Sequence, residues 1–231
     1  ILRFLVANSK PSKAIEFDTG MGLVNLADEY ERLCARDLAG EMEAENLSRR
    51  KRVQLEDAMV ALDLSVVHED QDSVATSVSF RHLSLLAQVK PDDDAVWDSL
   101  RSTGSIDQPT EALKDRLIRM RSWIASEHFP DEMRITLLEA PSAAALNELT
   151  VDQRKVLVAL ETNLRSAAWT AEGITEAFKS TATQAAVSMR DVYRASYALF
   201  MGTERGPRLA PILANCDRET MVELVRRSQV V

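Results

Sequence analysis

The chain has 231 residues, of which 45% are hydrophobic, 28% are charged and 5% are aromatic, with 7 Gly and 7 Pro. This length allows one large or two small cores, and the composition favours helices over sheets, because Ala, Leu, Glu, Arg and Met lose little rotamer freedom in a helix. No apolar run approaches the ~18 residues of a membrane span. Cys34 and Cys216 lie far apart without a histidine at ligand spacing. We therefore expect a cytoplasmic protein with neither a metal site nor a disulfide framework.

Charge is distributed unevenly along the chain, whose formal net charge is −8. Residues 150–231 carry 11 Lys and Arg against 9 Asp and Glu, whereas the preceding residues carry 17 against 27. The net charge alone argues against nucleic-acid binding, but the acidity belongs to the first two thirds. This asymmetry indicates two surfaces with different partners. The chain also starts at Ile1 without an initiator Met, so we expect an excised fragment.

The first 80 residues give the weaker helix signals. Apolar residues recur at helical spacing from Leu23 through about residue 39, where Gly40 is placed to end the helix. A charged stretch follows and includes Arg49-Arg50-Lys51-Arg52. Segment 53–67 fits neither the helical nor the strand period, and residues 68–73 read as a polar loop. We therefore assign only one clear helix to this part of the chain.

The middle of the chain shows clearer helix boundaries. Ser77 or Ser79 caps a helix that Pro91 stops, and Asp92-Asp93-Asp94 suits the start of the next one, since carboxylates stabilise a helix N-terminus. Pro109-Thr110 opens a longer helix. Pro141 begins a short one.

The last third has the most legible signals. Thr150 and Gln153 form a capping box, and Thr170, Ser188 and Asp217 cap three further helices. Gly202 suits a left-handed C-cap, and Pro207 suits the first position of another short helix. The sequence thus predicts an all-α chain of about nine helices in two subdomains, a helical bundle with a boundary near residues 141–150.

Motifs for chemistry are largely absent. The sequence contains no phosphate-binding Gly-rich loop, no metal-binding His pair and no GxSxG elbow. His68, His82 and His128 are scattered, and His82 reads as a packed or surface residue. The run Arg49–Arg52 reads as a solvated charged segment, with contact to an RNA backbone as the alternative. We predict no catalytic, cofactor-binding or metal-ligating residue.

One corner of the chain, residues 202–211, has the features of an anion site. A helix ends at Gly202, and a new one is predicted to start at Pro207 with free N–H groups and the positive end of its dipole. Arg205 and Arg208 flank this start, and arginine also stacks on unpaired bases and bonds their edges. The alternative is a structural corner fixed by Gly and Pro, with both arginines solvated.

Several motifs in order resemble the class I glutamyl- and lysyl-tRNA synthetases. Their anticodon-binding region is similar to Leu149-Thr150-x-x-Gln153, to Trp169-Thr170-x-Glu172-x-Ile174 and to Gly202-x-x-x-Gly206-Pro207-Arg208-Leu209. Lysyl-tRNA synthetases in particular are similar to the segments Leu2-Arg3-Phe4-Leu5, Lys10-Pro11-x-Lys13-Ala14-Ile15-x-Phe17-Asp18-x-Gly20, Leu26-x-Asp28-Glu29-Tyr30-Glu31 and Ser79-Phe80-Arg81-His82-Leu83-x-x-Leu86-x-Gln88.

The resemblance implies a lysine–tRNA ligase without its catalytic domain, since neither the HIGH-type nor the KMSKS-type motif is present. It implies a stem-contact-like connecting segment (residues 1–40), a first helical subdomain of an α-helix cage (41–147) and an anticodon-binding subdomain (148–231). The implied partners are tRNA(Lys), through its anticodon arm, and the missing catalytic domain in cis. ATP and Mg²⁺ are implied for the full-length enzyme only.

Within that resemblance, the predicted RNA contacts are Arg205 and Arg208, followed by Arg194, Arg190 and Trp169. Trp169 has a rival explanation as core packing. Two alternative functions remain at this point. One is the anticodon-binding domain of a glutamyl-tRNA synthetase, and the other is a helical adaptor that binds protein through its acidic part.

Overall fold

A computed structural model describes residues 2–7, 9, 15, 18–44, 46–65 and 78–229. These residues form 13 α-helices and a single turn of 3₁₀-helix, and they include no β-strand. The all-α prediction is confirmed. There are more helices than the nine or so expected, because several are only five or six residues long and carry little periodicity. Lys10, Pro11, His68, Ser77 and the polar loop at 68–73 lie outside the described residues.

The helices are numbered α1 to α13 in chain order. They are α1 (Leu2–Ala7), α2 (Met21–Cys34), α3 (Leu38–Met42), α4 (Arg49–Ser65), α5 (Phe80–Val89), α6 (Asp93–Ser102), α7 (Glu111–Ile124), α8 (Ala143–Asn147), α9 (Val151–Ser166), α10 (Ala171–Ala185), α11 (Met189–Met201), α12 (Leu209–Ala214) and α13 (Arg218–Ser228). None of these helices is both long and apolar enough to cross a membrane.

The chain divides into two compact units. Unit 1 comprises residues 1–84 and 97–130, and unit 2 comprises residues 85–96 and 131–231. The two units are defined by the contacts between residues, which do not test functional limits. The three functional parts expected from the sequence, with limits at residues 40 and 147, stay a prediction.

A buried apolar cluster and an ion pair hold the described part of unit 1. Phe4, Leu26 and Ala61 form the cluster, and Tyr30 packs edge-on against Phe4 with ring centroids 5.2 Å apart. The half-buried Glu31 carboxylate accepts hydrogen bonds from the Phe80 N–H (2.6 Å) and the Arg116 guanidinium (2.7 Å). One carboxylate therefore joins α2, α5 and α7, which are distant in sequence.

Two sequence expectations in unit 1 are wrong. The helix expected to run through residue 39 ends at Cys34, and Gly40 lies inside α3 rather than at a helix end. The reason is Asp37, whose side chain accepts the Gly40 N–H and caps a new helix at Leu38. The ambiguous segment after residue 52 continues α4, a helix with only Leu55 and Ala61 buried. Such a helix has no apolar face to give it a clear period.

Side-chain caps define the helix starts as predicted. In unit 2, Thr150 and Gln153 form both bonds of the capping box, and Thr170, Ser188 and Asp217 each accept an N–H of the following turn. Ser79, Asp92 and Thr110 do the same for α5, α6 and α7. Each cap satisfies backbone donors that a helix end leaves unpaired.

Helix α9 is the centre of unit 2. It packs against α10, α11 and α13, and the shared core is closed by side chains that are fully buried, chiefly Leu160, Leu164, Ile174, Phe178, Leu199 and Phe200. Gly202 ends α11 at φ 67°, in the left-handed region that favours glycine, and confirms the predicted C-cap. This rigid core carries the corner of the chain that the sequence singled out.

Candidate nucleic-acid interface

The corner after α11 is held by side-chain hydrogen bonds. The Tyr197 hydroxyl donates its one proton to the carbonyl oxygens of Pro207 (2.8 Å) and Gly206 (3.1 Å), which share it. The Thr203 hydroxyl donates to the carbonyl of Arg205 at 2.9 Å. Residues 203–207 thus form a loop fixed against α11 rather than a helical turn.

The prediction that Pro207 starts a helix is wrong. Helix α12 begins at Leu209, with Arg208 as its N-cap residue and no side-chain cap. Pro211 explains the shift. In a helix from Pro207, its missing N–H would remove the bond to the Pro207 carbonyl and its ring would clash there. At the third position of α12 that N–H is not needed. The helix N-terminus therefore lies two residues later than expected, and the anion site at this corner stays a prediction.

Beside this corner, unit 2 has an open groove of about 800 Å³. Two tyrosines of α11, Tyr193 and Tyr197, lie in its wall together with Arg208. Both rings are half-buried, with centroids 6.4 Å apart, and Tyr193 packs edge-on against buried Phe178 at 5.4 Å. Its other lining residues come from α10 and α12: Ala171, Glu172, Thr175, Glu176, Lys179, Leu209, Ala210 and Pro211. The groove therefore offers fixed aromatic rings beside an exposed guanidinium.

The groove is mixed in charge. Lys179 pairs with Glu176 at 3.0 Å, and Glu172 lies on the same wall. Burial is the main reason why the pKa of Tyr197 lies above its usual value, and the neighbouring Tyr193 adds to the shift. Carboxylates repel phosphate but accept hydrogen bonds from the amino groups of bases. This chemistry suits a flat, polar, neutral group such as a nucleobase better than a bare phosphate.

A second, smaller hollow of about 500 Å³ contains Arg194 and Glu204, paired at 2.6 Å. Its floor includes Gln153, whose amide donates to Asp191 at 3.1 Å. The Ser188 hydroxyl donates to the same carboxylate at 2.6 Å. These two hydrogen bonds, that from Ser188 foremost, hold the pKa of Asp191 below its usual value. The hollow is bounded by Gly202 and Thr203 at the end of α11.

The predicted contact residues thus fall in several places. Arg208 lines the groove and Arg194 lines the hollow, whereas Arg205 and Arg190 are exposed and line neither. Trp169 is half-buried against the core of unit 2, and its indole N–H donates to the Cys216 carbonyl at 2.9 Å. The Arg218 guanidinium lies 5.9 Å from the centroid of that ring. Trp169 therefore has a packing role, and the RNA contacts at all five residues stay predictions.

Sequence reasoning placed Tyr193 and Tyr197 on the helix that leads to Gly202 but did not predict these two aromatic residues of the groove as RNA contacts. The available signal was their spacing of four residues on a predicted helix, which places both on one face. The described residues include no cluster of His, Cys, Asp and Glu suited to a metal ion.

A family model described as an anticodon binding domain matches residues 85–227, more than half of the chain. The chain belongs to this anticodon-binding domain family. The match contains every residue of the groove and of the hollow. It stops short of most of unit 1.

Curated proteins similar to this anticodon-binding chain are named lysine–tRNA ligases. The protein of Thermococcus kodakarensis is 29% identical over 98% of the chain and 42% of its own length. Those of Thermoplasma volcanium and Pyrococcus horikoshii are 28% and 27% identical, again over 98% of the chain and about two fifths of their own lengths. The chain thus spans about two fifths of these relatives, and the resemblance to lysyl-tRNA synthetases is confirmed.

Proposed function

We propose that the chain binds the anticodon arm of tRNA(Lys) as the RNA-reading part of a lysine–tRNA ligase. The observation that supports this most directly is the family match, because it encloses a groove with two tyrosines and an arginine. Because the similar proteins are named lysine–tRNA ligases, the proposal takes lysine rather than glutamate as the amino acid that the whole protein attaches to tRNA. They also favour an RNA partner over the protein partner of an adaptor.

Recognition in this proposal begins with bases that leave the anticodon stack. A base that stacks on the Tyr193 or Tyr197 ring gains about 1–3 kcal/mol, because aromatic faces of base and side chain attract. Arg208 either stacks on the neighbouring base or bonds its edge. Glu172 and Glu176 accept hydrogen bonds from base amino groups, which gives selectivity that the rings lack.

In this proposal the attachment of lysine to tRNA takes place in the rest of the ligase. Lysine, ATP and Mg²⁺ bind in the catalytic domain that the resemblance implies in cis, and the whole protein acts in the cytoplasm. The chain of 231 residues is expected to bind RNA without attaching lysine to it.

An anticodon stem-loop titration tests the proposal. We expect the chain to bind the tRNA(Lys) stem-loop more tightly than a hairpin of equal length and unrelated loop at moderate salt. Equal affinity for the two RNAs would show that the chain does not read the anticodon.

Arg208→Ala tests the groove itself. We expect stem-loop binding to weaken by about 1–3 kcal/mol, because the substitution removes a stacking or base-edge interaction. Arg226→Ala is the matched control, since it removes one exposed cation of the same unit away from the groove. An Arg208→Ala variant that binds as tightly as the control would exclude Arg208 as an RNA-binding residue.

A further inference from the structure

Helix α4 carries its charges in the reverse of the order that stabilises a helix. Four cations, Arg49, Arg50, Lys51 and Arg52, occupy its first turn, and the acidic Glu56, Asp57 and Asp63 follow. The helix dipole favours acidic groups at the first turn and disfavours cations there. Stability of α4 therefore does not explain this arrangement.

Packing does not explain the four cations either. All four are exposed, and Lys51 lies 3.6 Å from the Glu41 carboxylate, which also binds Arg36 at 2.7 Å. Among the residues that the structure describes, no carboxylate forms an ion pair with Arg49, Arg50 or Arg52. The first turn of α4 thus forms a cationic patch, defined as residues 49–52.

The patch stands out because the part of the chain before residue 150 is strongly acidic. Its attraction for a polyanion is therefore local rather than a property of the whole surface. Arginines bind phosphate through parallel hydrogen bonds, and a run of them neutralises successive phosphates of a nucleic-acid backbone. A fold that keeps such a run at an energetic cost has a use for it outside the helix.

We propose that Arg49, Arg50 and Arg52 bind backbone phosphates of tRNA outside its anticodon arm. This inference rests on the proposed function, since it gives the same RNA a second binding surface. The patch belongs to unit 1, and none of its residues lines the groove of unit 2. Phosphate binding of this kind fixes the position of an RNA without reading its sequence.

The test compares full-length tRNA(Lys) with its anticodon stem-loop on the triple variant R49A/R50A/R52A. We expect affinity for full-length tRNA to fall on the order of tenfold, and its salt slope to fall by about one for each phosphate that is no longer bound. Affinity for the stem-loop should stay unchanged. R49K/R50K/R52K should retain most of the affinity for tRNA, because phosphate binding depends mainly on charge.

The control variant R101A/K114A/R119A removes three surface cations of the same unit that pair with neighbouring carboxylates, exposed Arg101 and Arg119 and half-buried Lys114. A loss of tRNA affinity equal to that of the patch variant would overturn the inference, because it would reflect net charge. The inference would also be overturned if the patch variant bound full-length tRNA as tightly as the parent. The same holds if the patch variant lost as much affinity for the stem-loop as for full-length tRNA. Circular dichroism should show the patch variant as helical as the parent, since Ala favours helices.

The two proposals fail separately. If the parent chain does not prefer the anticodon stem-loop, the anticodon proposal fails, while a tRNA affinity that still depends on residues 49–52 would support the patch. If the parent chain prefers the anticodon stem-loop but the patch variant binds full-length tRNA as tightly as the parent, the patch inference alone fails.

Discussion

Asp191 shows how one side chain connects two helices of unit 2. It lies in the first turn of α11 and accepts hydrogen bonds from Ser188 of its own cap and from Gln153 of α9. The Gln153 side chain is buried and also accepts the Thr150 N–H. The capping box of α9 is therefore joined to the start of α11, which carries the tyrosines of the groove.

The lowered pKa of Asp191 predicts a pH dependence of stability. Because the folded-state pKa lies below the unfolded one, the ionised carboxylate stabilises the fold above the unfolded value of about 3.9, and this contribution disappears as the pH falls through the folded-state pKa. Asp191→Asn should therefore be less stable at pH 7 and less sensitive to acid. Urea denaturation at pH 7 and at about pH 3 measures both effects.

Asp217 provides the comparison for that experiment. Its pKa is also lowered, by the hydroxyl and the backbone N–H of Thr220, so some acid sensitivity should remain in Asp191→Asn. An Asp191→Asn variant with the full acid sensitivity of the parent would contradict the assignment.

At the scale of elements, α11 both supplies and supports the groove. One face is buried in the core through Val192, Leu199 and Phe200, and the edge of that face exposes Tyr193 and Tyr197. Through its hydroxyl, Tyr197 also fixes the loop that leads to Arg208. The position of the arginine therefore depends on a tyrosine in the preceding helix.

Tyr197→Phe separates these two roles. The ring remains for stacking, but the loop loses its anchoring bonds, so we expect about 0.5–1.5 kcal/mol less stability and weaker binding of the stem-loop. Thermal unfolding and stem-loop titration measure the two effects. Tyr193→Phe is the matched control, because its hydroxyl has no hydrogen-bond partner among the described residues. Equal binding by Tyr197→Phe and the parent would show that the loop needs no anchor.

At the scale of the whole molecule, the groove and the hollow are built entirely from unit 2. The cores of the two units contain different phenylalanines: Phe178 in unit 2 and Phe4 in unit 1, each fully buried. A substitution that damages the core of unit 2 should therefore weaken stem-loop binding, whereas one that damages the core of unit 1 should not.

Phe178→Ala should destabilise unit 2 by about 3–5 kcal/mol and weaken stem-loop binding, because it also removes the ring beneath Tyr193. Phe4→Ala should lower the thermal stability of unit 1 and leave stem-loop binding intact. Circular dichroism melting and titration of both variants make the comparison. If Phe4→Ala abolished stem-loop binding while still folded, the site would not belong to unit 2 alone.

The sequence by itself determined the helical class, most helix starts and the left-handed end of α11. These features depend on neighbours a few residues apart: Thr150 reaches Gln153, and Gly202 allows a backbone angle that other residues avoid. The motifs around them also carried the family resemblance. Local chemistry was sufficient because helix caps are formed within a single turn.

Only the tertiary structure decided where the groove lies and which residues share it. Tyr197 meets the Gly206 and Pro207 carbonyls across a loop, and α10 supplies the facing wall, so neither interaction is visible in a local pattern. The start of α12 at Leu209 likewise depends on Pro211, because a proline cannot donate to the Pro207 carbonyl one helical turn earlier. Side chains from three helices converge on the site through core packing, and a one-dimensional pattern does not specify that convergence.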